Sequence, residues 1–259
     1  MPSSHARTLV EIAHLAGIKI MEIYGTNFSA GAKADLSPVT IADEQAEVLI
    51  LGGLHKYFPD IPVIAEEAAA AGKIPKVAEQ FFLVDPLDGT KEFLSRNGEF
   101  TVNIALIKNG RPILGVVYAP ALSRIFIGET GHGAMQCQCP VADQTQNANW
   151  QTIKVRSLPP DGATVLASRS HRDPETEAYL ATLHVKKIVS AGSSLKFCTI
   201  AAGEADIYPR FGRTMEWDTA AGHAVLIAAG GRVNCVGGEP LHYGKSERGF
   251  DNPAFIASA

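Results

Sequence analysis

The sequence predicts an α/β protein, an N-terminal α+β part followed by a C-terminal α/β part. Two helical periodicities open the chain, a run of paired strands fills its middle, and from "GATVLASRSH" onward strands alternate with helices. The pattern changes near residues 150–160, which divides residues 1–155 from residues 156–259.

Each element has a local reason. In residues 4–24 the side chains of Leu9, Ile12, Ala13, Leu15, Ala16 and Ile20 recur at helical spacing, and Gly25 closes the pattern. After the polar stretch "GTNFSAGAKADLSP" a second helical pattern covers residues 41–57. Thr40 is placed to cap it, with Asp43 three residues on in a capping-box-like arrangement. "IPVIAEE" reads as a short buried strand ending in Glu66 and Glu67. The next apolar run, residues 81–84, stops at Asp85 in "LVDPLDGTKEF". There Pro86 discourages further strand, and Asp88-Gly89 signals a turn before a short helical piece. "FTVNIALIKNGRPILGVVYAP" is two apolar strands around Asn109-Gly110, a hairpin signal because both residues tolerate positive φ. Residues 124–128 and 133–137 extend it into an antiparallel meander, and "PVADQTQNANWQ" is polar and irregular. Helices are expected over residues 174–183, 194–202 and 219–229, with the strand "ADIYPR" between the last two.

Composition narrows the function classes. The chain has 259 residues, 46% hydrophobic and 19% charged, which is ordinary globular composition with enough length for a sizeable core. A net charge of −4 offers no footprint for a nucleic-acid polymer, though a local patch can still hold a small anion. No apolar stretch approaches the ~20 residues of a membrane span, and Glu11 and His14 interrupt the N-terminus where a signal peptide would be uniformly apolar. Four cysteines are too few and scattered for a disulfide framework, and Cys137-Gln138-Cys139 lacks the second cluster of a metal site. Reduced thiols and a cytoplasmic compartment are expected. The sequence leaves open loose association with the inner face of a membrane, and the choice between monomer and dimer.

The informative residues are acids at the ends of elements. Singly, each has a plain structural role: Asp218 in "MEWDTAAGHAVL" as an N-cap, Asp43 as a first-turn acid, Glu66-Glu67 as a solvated loop. Together they meet a chemical need. Mg²⁺ takes oxygen ligands, few from the protein and the rest from water and phosphate. Two such ions, about 3.5–4 Å apart, clamp the attacking and leaving oxygens of a phosphoryl transfer. "DPLDG" can supply a bridging Asp85, the Leu87 carbonyl and a second carboxylate from Asp88. Gly89 and Thr90 then open a helix whose free amides can receive a phosphate. So many carboxylates cannot all stay ionised together without cations, because like charges raise one another's pKa.

"VDPLDGT" and "WDTAAGHAVL" resemble the two signatures of the inositol monophosphatase superfamily of Mg²⁺-dependent, lithium-sensitive phosphatases. "SPVTIAD", "IAEE", "DGTKEFLSRNGEFTVNIALI", "GVVYAP", "SRSH", "GSSLKFC" and "YPRFGRTMEWDTAAGHAV" are similar to its 3′(2′),5′-bisphosphate nucleotidase branch, a likeness covering residues 38–252. The resemblance implies a layered fold of alternating helices and sheets, with the N-terminal part carrying most ligands and Asp218 arriving from the C-terminal part. It also implies roles. Glu66, Asp85 and the Leu87 carbonyl would hold one Mg²⁺; Asp85, Asp88 and Asp218 would hold a second; Glu67 would sit near a weaker third. Thr90, linked to Asp43, would orient and help deprotonate the attacking water, and the Gly89 and Thr90 amides would bind the scissile phosphate. No covalent phosphoenzyme is implied.

Two positions depart from the pattern: Ala68 stands where another acid is common, and Glu216 adds a carboxylate before Trp217. The implied substrate, adenosine 3′,5′-bisphosphate or its sulfated form, needs partners for a second phosphate and a base. Ser193, Ser194, Lys196, Arg210 and Arg213 are candidates, as are Ser168 to His171. A solvated helix lysine is an equal reading of Lys196, and Phe197 and Tyr208 read first as core. The competing functions are an inositol- or sugar-phosphate phosphatase and a silent phosphometabolite-binding regulator. Asp85, Asp88, Thr90, Asp218 and Asp43 together argue against silence.

Overall fold

The computed structural model describes residues 1–26, 38–167 and 174–259. The pocket candidates Ser168 to His171 therefore lie outside the described residues. Helix α1 (Ser4–Tyr24) starts where the Ser3 hydroxyl accepts the Ala6 N–H at 3.1 Å, and it ends at Gly25. Helix α2 (Pro38–Tyr57) begins on a proline, whose fixed φ and missing N–H suit the first helical position. That start precedes the expected one, so Thr40 lies inside the first turn and does not cap it.

Seven strands follow in one sheet: β1 (Val63–Ala65), β2 (Gln80–Asp88), β3 (Thr101–Lys108), β4 (Arg111–Ala119), β5 (Arg124–Glu129), β6 (Gly133–Gln138) and β7 (Gln151–Ile153). They lie side by side in chain order, β1 parallel to β2 and the rest antiparallel. The β3–β4 hairpin turns on Asn109 and Gly110 with φ of 51° and 71°, as the dipeptide predicts. The polar stretch expected to be irregular ends in β7, which pairs with β6. Two short helices interrupt the first strands, α3 (Glu66–Ala70) after β1 and α4 (Thr90–Leu94) after β2.

A second sheet has the order β11-β12-β10-β8-β9, from β8 (Ala163–Ala167), β9 (Val185–Ser190), β10 (Ile207–Arg210), β11 (Arg232–Cys235) and β12 (Phe255–Ser258). Strand β8 runs parallel to β9 and β10, while β12 is antiparallel to β10 and β11. Helices α5 (Pro174–Leu180), α6 (Leu195–Ala201) and α7 (Glu216–Ala228) alternate with these strands. Two ends differ from expectation by three residues: α5 stops at Leu180, short of residue 183, and α7 begins at Glu216, before Thr219.

Side-chain alternation sets the layers. From β2, Phe82 and Val84 pack with Leu9, Ile12 and Ile50 of α1 and α2. Phe81 and Leu83 point the other way, into a core with Phe197 of α6 and Ala221 and Val225 of α7. From β8, Leu166 joins that same core, and Val165 faces Leu180 of α5. The order is helices, sheet, helices, sheet, helix, and strands buried on both faces explain why they read as nearly continuous apolar runs. Helix α7 lies against the first sheet because two strand positions lack a side chain. A Cβ on Gly128 would stand 2.3 Å from the Val225 Cα, and one on Gly115 2.4 Å from the Ala221 carbonyl oxygen. Gly128→Ala is expected to cost about 3 kcal/mol by forcing α7 off the sheet, seen as a lower urea midpoint with an unchanged slope.

Cys137, Cys139 and Cys198 are buried and free, and burial pushes the Cys137 thiol up to about 12, so it stays protonated. Among the described residues no helix is long and apolar enough to cross a membrane.

Candidate active site

Strand β2 does not stop at Asp85. It continues through Pro86 to Asp88, with a register shift after Asp85, which faces Asn103, and before Asp88, which faces Thr101. The shift places one extra residue on β2, and such a bulge tolerates a proline because no ladder N–H is required there. The Leu87 N–H turns back to donate to the Asp85 Oδ1 at 3.0 Å. Gly89 then takes φ 100°, a left-handed conformation open to glycine, and α4 begins at Thr90.

Two other acids arrive from helix starts. Strand β1 ends at Ala65, so Glu66 is the first residue of α3 and not the end of a strand. Asp218 is the third residue of α7 and not its N-cap; its Oδ2 accepts the Met215 N–H at 2.8 Å. Carboxylate oxygens of Glu66, Asp85 and Asp218 lie within 4.8 Å of one another. Asp88 stands beside them, its Oδ2 accepting the Ser194 N–H at 2.7 Å.

Burial and mutual repulsion dominate the electrostatics. Burial, then Asp88 and Glu67, raises the Glu66 carboxyl to about 7. Burial and Asp88 raise Asp218 to about 8, and burial with Glu66, Asp88 and Asp218 pushes Asp85 well up. Asp43 is raised to about 9 by burial and by Glu66, Glu67 and Glu47, and its buried Oδ1 has no hydrogen-bond partner among the described residues. Thr90 is exposed, and the structure does not bring its hydroxyl into a hydrogen bond with Asp43. The donor set fits a hard divalent cation: clustered carboxylate oxygens, with neither thiolate nor imidazole among the three.

Sequence reasoning missed three supports. Glu47 lies one turn beyond Asp43 on α2, and its carboxylate accepts the Glu67 and Ala68 N–H groups, each at 2.9 Å. It caps α3 from another helix and thereby fixes Glu66. Glu47→Ala is expected to cost about 1–2 kcal/mol, the range for losing an N-terminal cap, measurable by urea unfolding. Asn103 accepts the Ser194 hydroxyl at 2.7 Å, and Thr101 lies 2.9 Å from the same oxygen. A lone asparagine in "FTVNIALI" was the available signal. Ser194 thus grips Asp88 and the β3 strand, and is buried instead of facing ligand.

A cleft of about 140 Å³ opens beside the acids, lined by Asp88, Gly89, Ser193, Lys196, Phe197, Tyr208, Arg210 and Asp218 among others. Ser193 holds φ 54°, uncommon for a side chain other than glycine. Lys196 is no solvated lysine: it is buried, donates to the Ser193 and Ala191 carbonyls at 2.7 and 3.2 Å, and burial lowers its ammonium to about 8. Phe197 and Tyr208 are core residues, edge to face at 5.4 Å, that also floor the cleft. Arg213 does not line it; its guanidinium pairs with Asp251 at 2.7 Å. Glu216 is fully buried and binds Gly244 and Lys245, away from the acid cluster.

The model of the inositol monophosphatase family matches residues 1–256. This chain belongs to the inositol monophosphatase family. Its relatives in that family include the 3′(2′),5′-bisphosphate nucleotidase CysQ of Escherichia coli (strain K12), 48% identical over 96% of this chain and 97% of the relative. The CysQ of Buchnera aphidicola is 41% identical over 97% and 92%. Among solved structures of the family, CysQ from Bacteroides thetaiotaomicron superposes with a TM-score of 0.87 at 42% identity, covering 99% of this chain and 97% of that one. The family fold is the layered α/β architecture described above, and its members are metal-dependent phosphatases.

Proposed function

We propose that this chain is a Mg²⁺-dependent 3′(2′),5′-bisphosphate nucleotidase. It removes the 3′-phosphate of adenosine 3′,5′-bisphosphate, and of the sulfated form, to give AMP (or its sulfated counterpart) and inorganic phosphate. The observation that carries this reading is the convergence of Glu66, Asp85 and Asp218 at a cleft that also holds Lys196 and Arg210. An acid cluster suits cations and the scissile phosphate, and a buried lysine beside a half-buried arginine suits a second phosphate. The likeness to the named nucleotidases along nearly the whole chain supports the same substrate.

Glu66, Asp85 and the Leu87 carbonyl would hold one Mg²⁺, and Asp85, Asp88 and Asp218 a second, with Glu67 near a third. Bound there, Mg²⁺ supplies Lewis-acid charge to the attacking water and the leaving oxygen. The remaining work belongs to the chain. The Thr90 hydroxyl, not hydrogen-bonded to Asp43 in this structure, would turn to Asp43 when substrate is bound, passing its own proton to that carboxylate as it takes one from the attacking water. The Gly89 and Thr90 amides hold the phosphate oxygens in line. Water oxygen bonds to phosphorus, the bond from phosphorus to the ribose 3′-oxygen breaks, and that oxygen takes up a proton. Lys196 and Arg210 hold the 5′-phosphate.

The test compares kcat/KM for adenosine 3′,5′-bisphosphate and inositol 1-phosphate on one preparation. A preference of tenfold or more for the nucleotide is expected, with all activity lost in excess chelator and reduced by millimolar lithium. Preference for the inositol ester would assign the alternative sugar-phosphate reading. Absence of turnover of either, with tight binding of the nucleotide, would assign the silent regulator.

A further inference from the structure

We infer that Glu216 is a positioning residue for Asp218, a role that rests on Asp218 being a metal ligand. The Glu216 side chain is fully buried at the first position of α7. Its Oε2 accepts the Gly244 N–H at 2.6 Å; its Oε1 accepts the Lys245 N–H at 2.9 Å and lies 2.7 Å from the Lys245 ammonium. Those contacts occupy both oxygens, so Glu216 is not itself a ligand, although it stands two residues from one. A buried carboxylate this fully satisfied has strong directional preferences, since any rotation of the helix start would leave a charge without partners.

The same segment grips the rest of the turn. The Glu216 N–H donates to the Phe250 carbonyl at 2.9 Å, and the Asn252 N–H to the Thr214 carbonyl at 2.9 Å. The Asn252 Nδ2 donates to the Met215 carbonyl at 2.7 Å, and Met215 and Asp251 form a bridge. Met215 is the residue whose N–H orients the Asp218 carboxylate at 2.8 Å. Residues 244–252 and Glu216 therefore form one clamp on the peptide that aims Asp218. Asp85 needs no such device, being held in a sheet, whereas Asp218 enters from a helix end that would otherwise fray.

The test titrates Mg²⁺ into the substrate-free protein by calorimetry and measures kcat, KM and Tm. Four proteins are compared: wild type, Glu216→Gln, Asp218→Asn and the remote core variant Leu9→Ala. Glu216→Gln is expected to weaken Mg²⁺ binding about tenfold and to lower kcat, with KM for the nucleotide within threefold and kcat recovering as Mg²⁺ is raised. Leu9→Ala is expected to lower Tm alone. If Glu216→Gln does not fold, the double variant Glu216→Gln/Lys245→Met, which leaves no lone buried charge, must show the same loss. Wild-type Mg²⁺ affinity in a folded Glu216 variant would overturn the inference. Wild-type Mg²⁺ affinity in Asp218→Asn would instead overturn the metal-ligand reading beneath it.

Discussion

Asp85→Asn is expected to lower kcat/KM for adenosine 3′,5′-bisphosphate by about four orders of magnitude and, in the same protein, to raise the stability of the metal-free state by about 1–3 kcal/mol. Both follow from one geometry. Asp85 is buried, sits between Glu66 and Asp218, and is the residue read as bridging both ions. Asparagine keeps the acceptor that the Leu87 N–H uses, so the bulge survives. It loses the charge that draws cations in, and also the cost of protonating on folding a carboxyl that burial and its acidic neighbours push well up when no cation is present. Opposite signs for activity and stability distinguish this from ordinary damage, which lowers both. Urea unfolding in chelator, beside steady-state assays in Mg²⁺, reads the two effects. Activity within tenfold of wild type would remove Asp85 from the bridging role.

The acids were legible in the sequence because hard-cation chemistry needs carboxylates and few places supply them together. What brings them together was less legible. Asp218 read as an N-cap because the helix signal begins at its apolar stripe. The structure starts α7 earlier, at Glu216, where a buried carboxylate compensates for a weak cap at Met215. Glu66 read as a strand end because "VIAEE" has no turn residue, and Glu47, 19 positions earlier, is what caps the helix there. Such caps are long-range contacts and leave no local pattern. Pro86 was read as a stop, yet a bulge absorbs it, since a proline's missing N–H harms a strand only where the ladder needs one. The layers were easier to foresee. Strands β3 and β4 are apolar on both faces, and that alone requires cover on each side.

The metal-free protein should lose stability as pH rises from 7 to 9, and Mg²⁺ should abolish the loss. Glu66, Asp218 and Asp43 titrate in the folded state at about 7, 8 and 9. In the unfolded chain such carboxyls titrate near about 4. A group whose folded pKa is raised stabilises fully below its unfolded value, and that stabilisation is lost as pH climbs through the folded value. Over most of this window the folded state binds more protons than the unfolded one, so stability must fall, by about 1.4 kcal/mol per proton per pH unit. The carboxylates release about two protons and Lys196 offsets about a third of their effect, so Tm in chelator should drop by about 6 °C from pH 7 to pH 9. The window starts at 7 for a reason. His223 is buried, and burial lowers it to about 3, so its contribution disappears as pH falls through the ordinary histidine range. Below 7 the two trends oppose each other; above it the three carboxylates outweigh Lys196, whose ammonium, lowered to about 8 by burial, offsets part of their loss. On the proposed ligand set, Mg²⁺ binding requires Glu66 and Asp218 to shed their protons, so its affinity should rise with pH while the metal-free fold weakens. The Tm gap between Mg²⁺-loaded and chelated protein should then widen steadily from 7 to 9. A metal-free Tm that stays flat or rises over that range would mean the carboxylates are solvated and ionise freely, and a cluster so relaxed would have no need of cations.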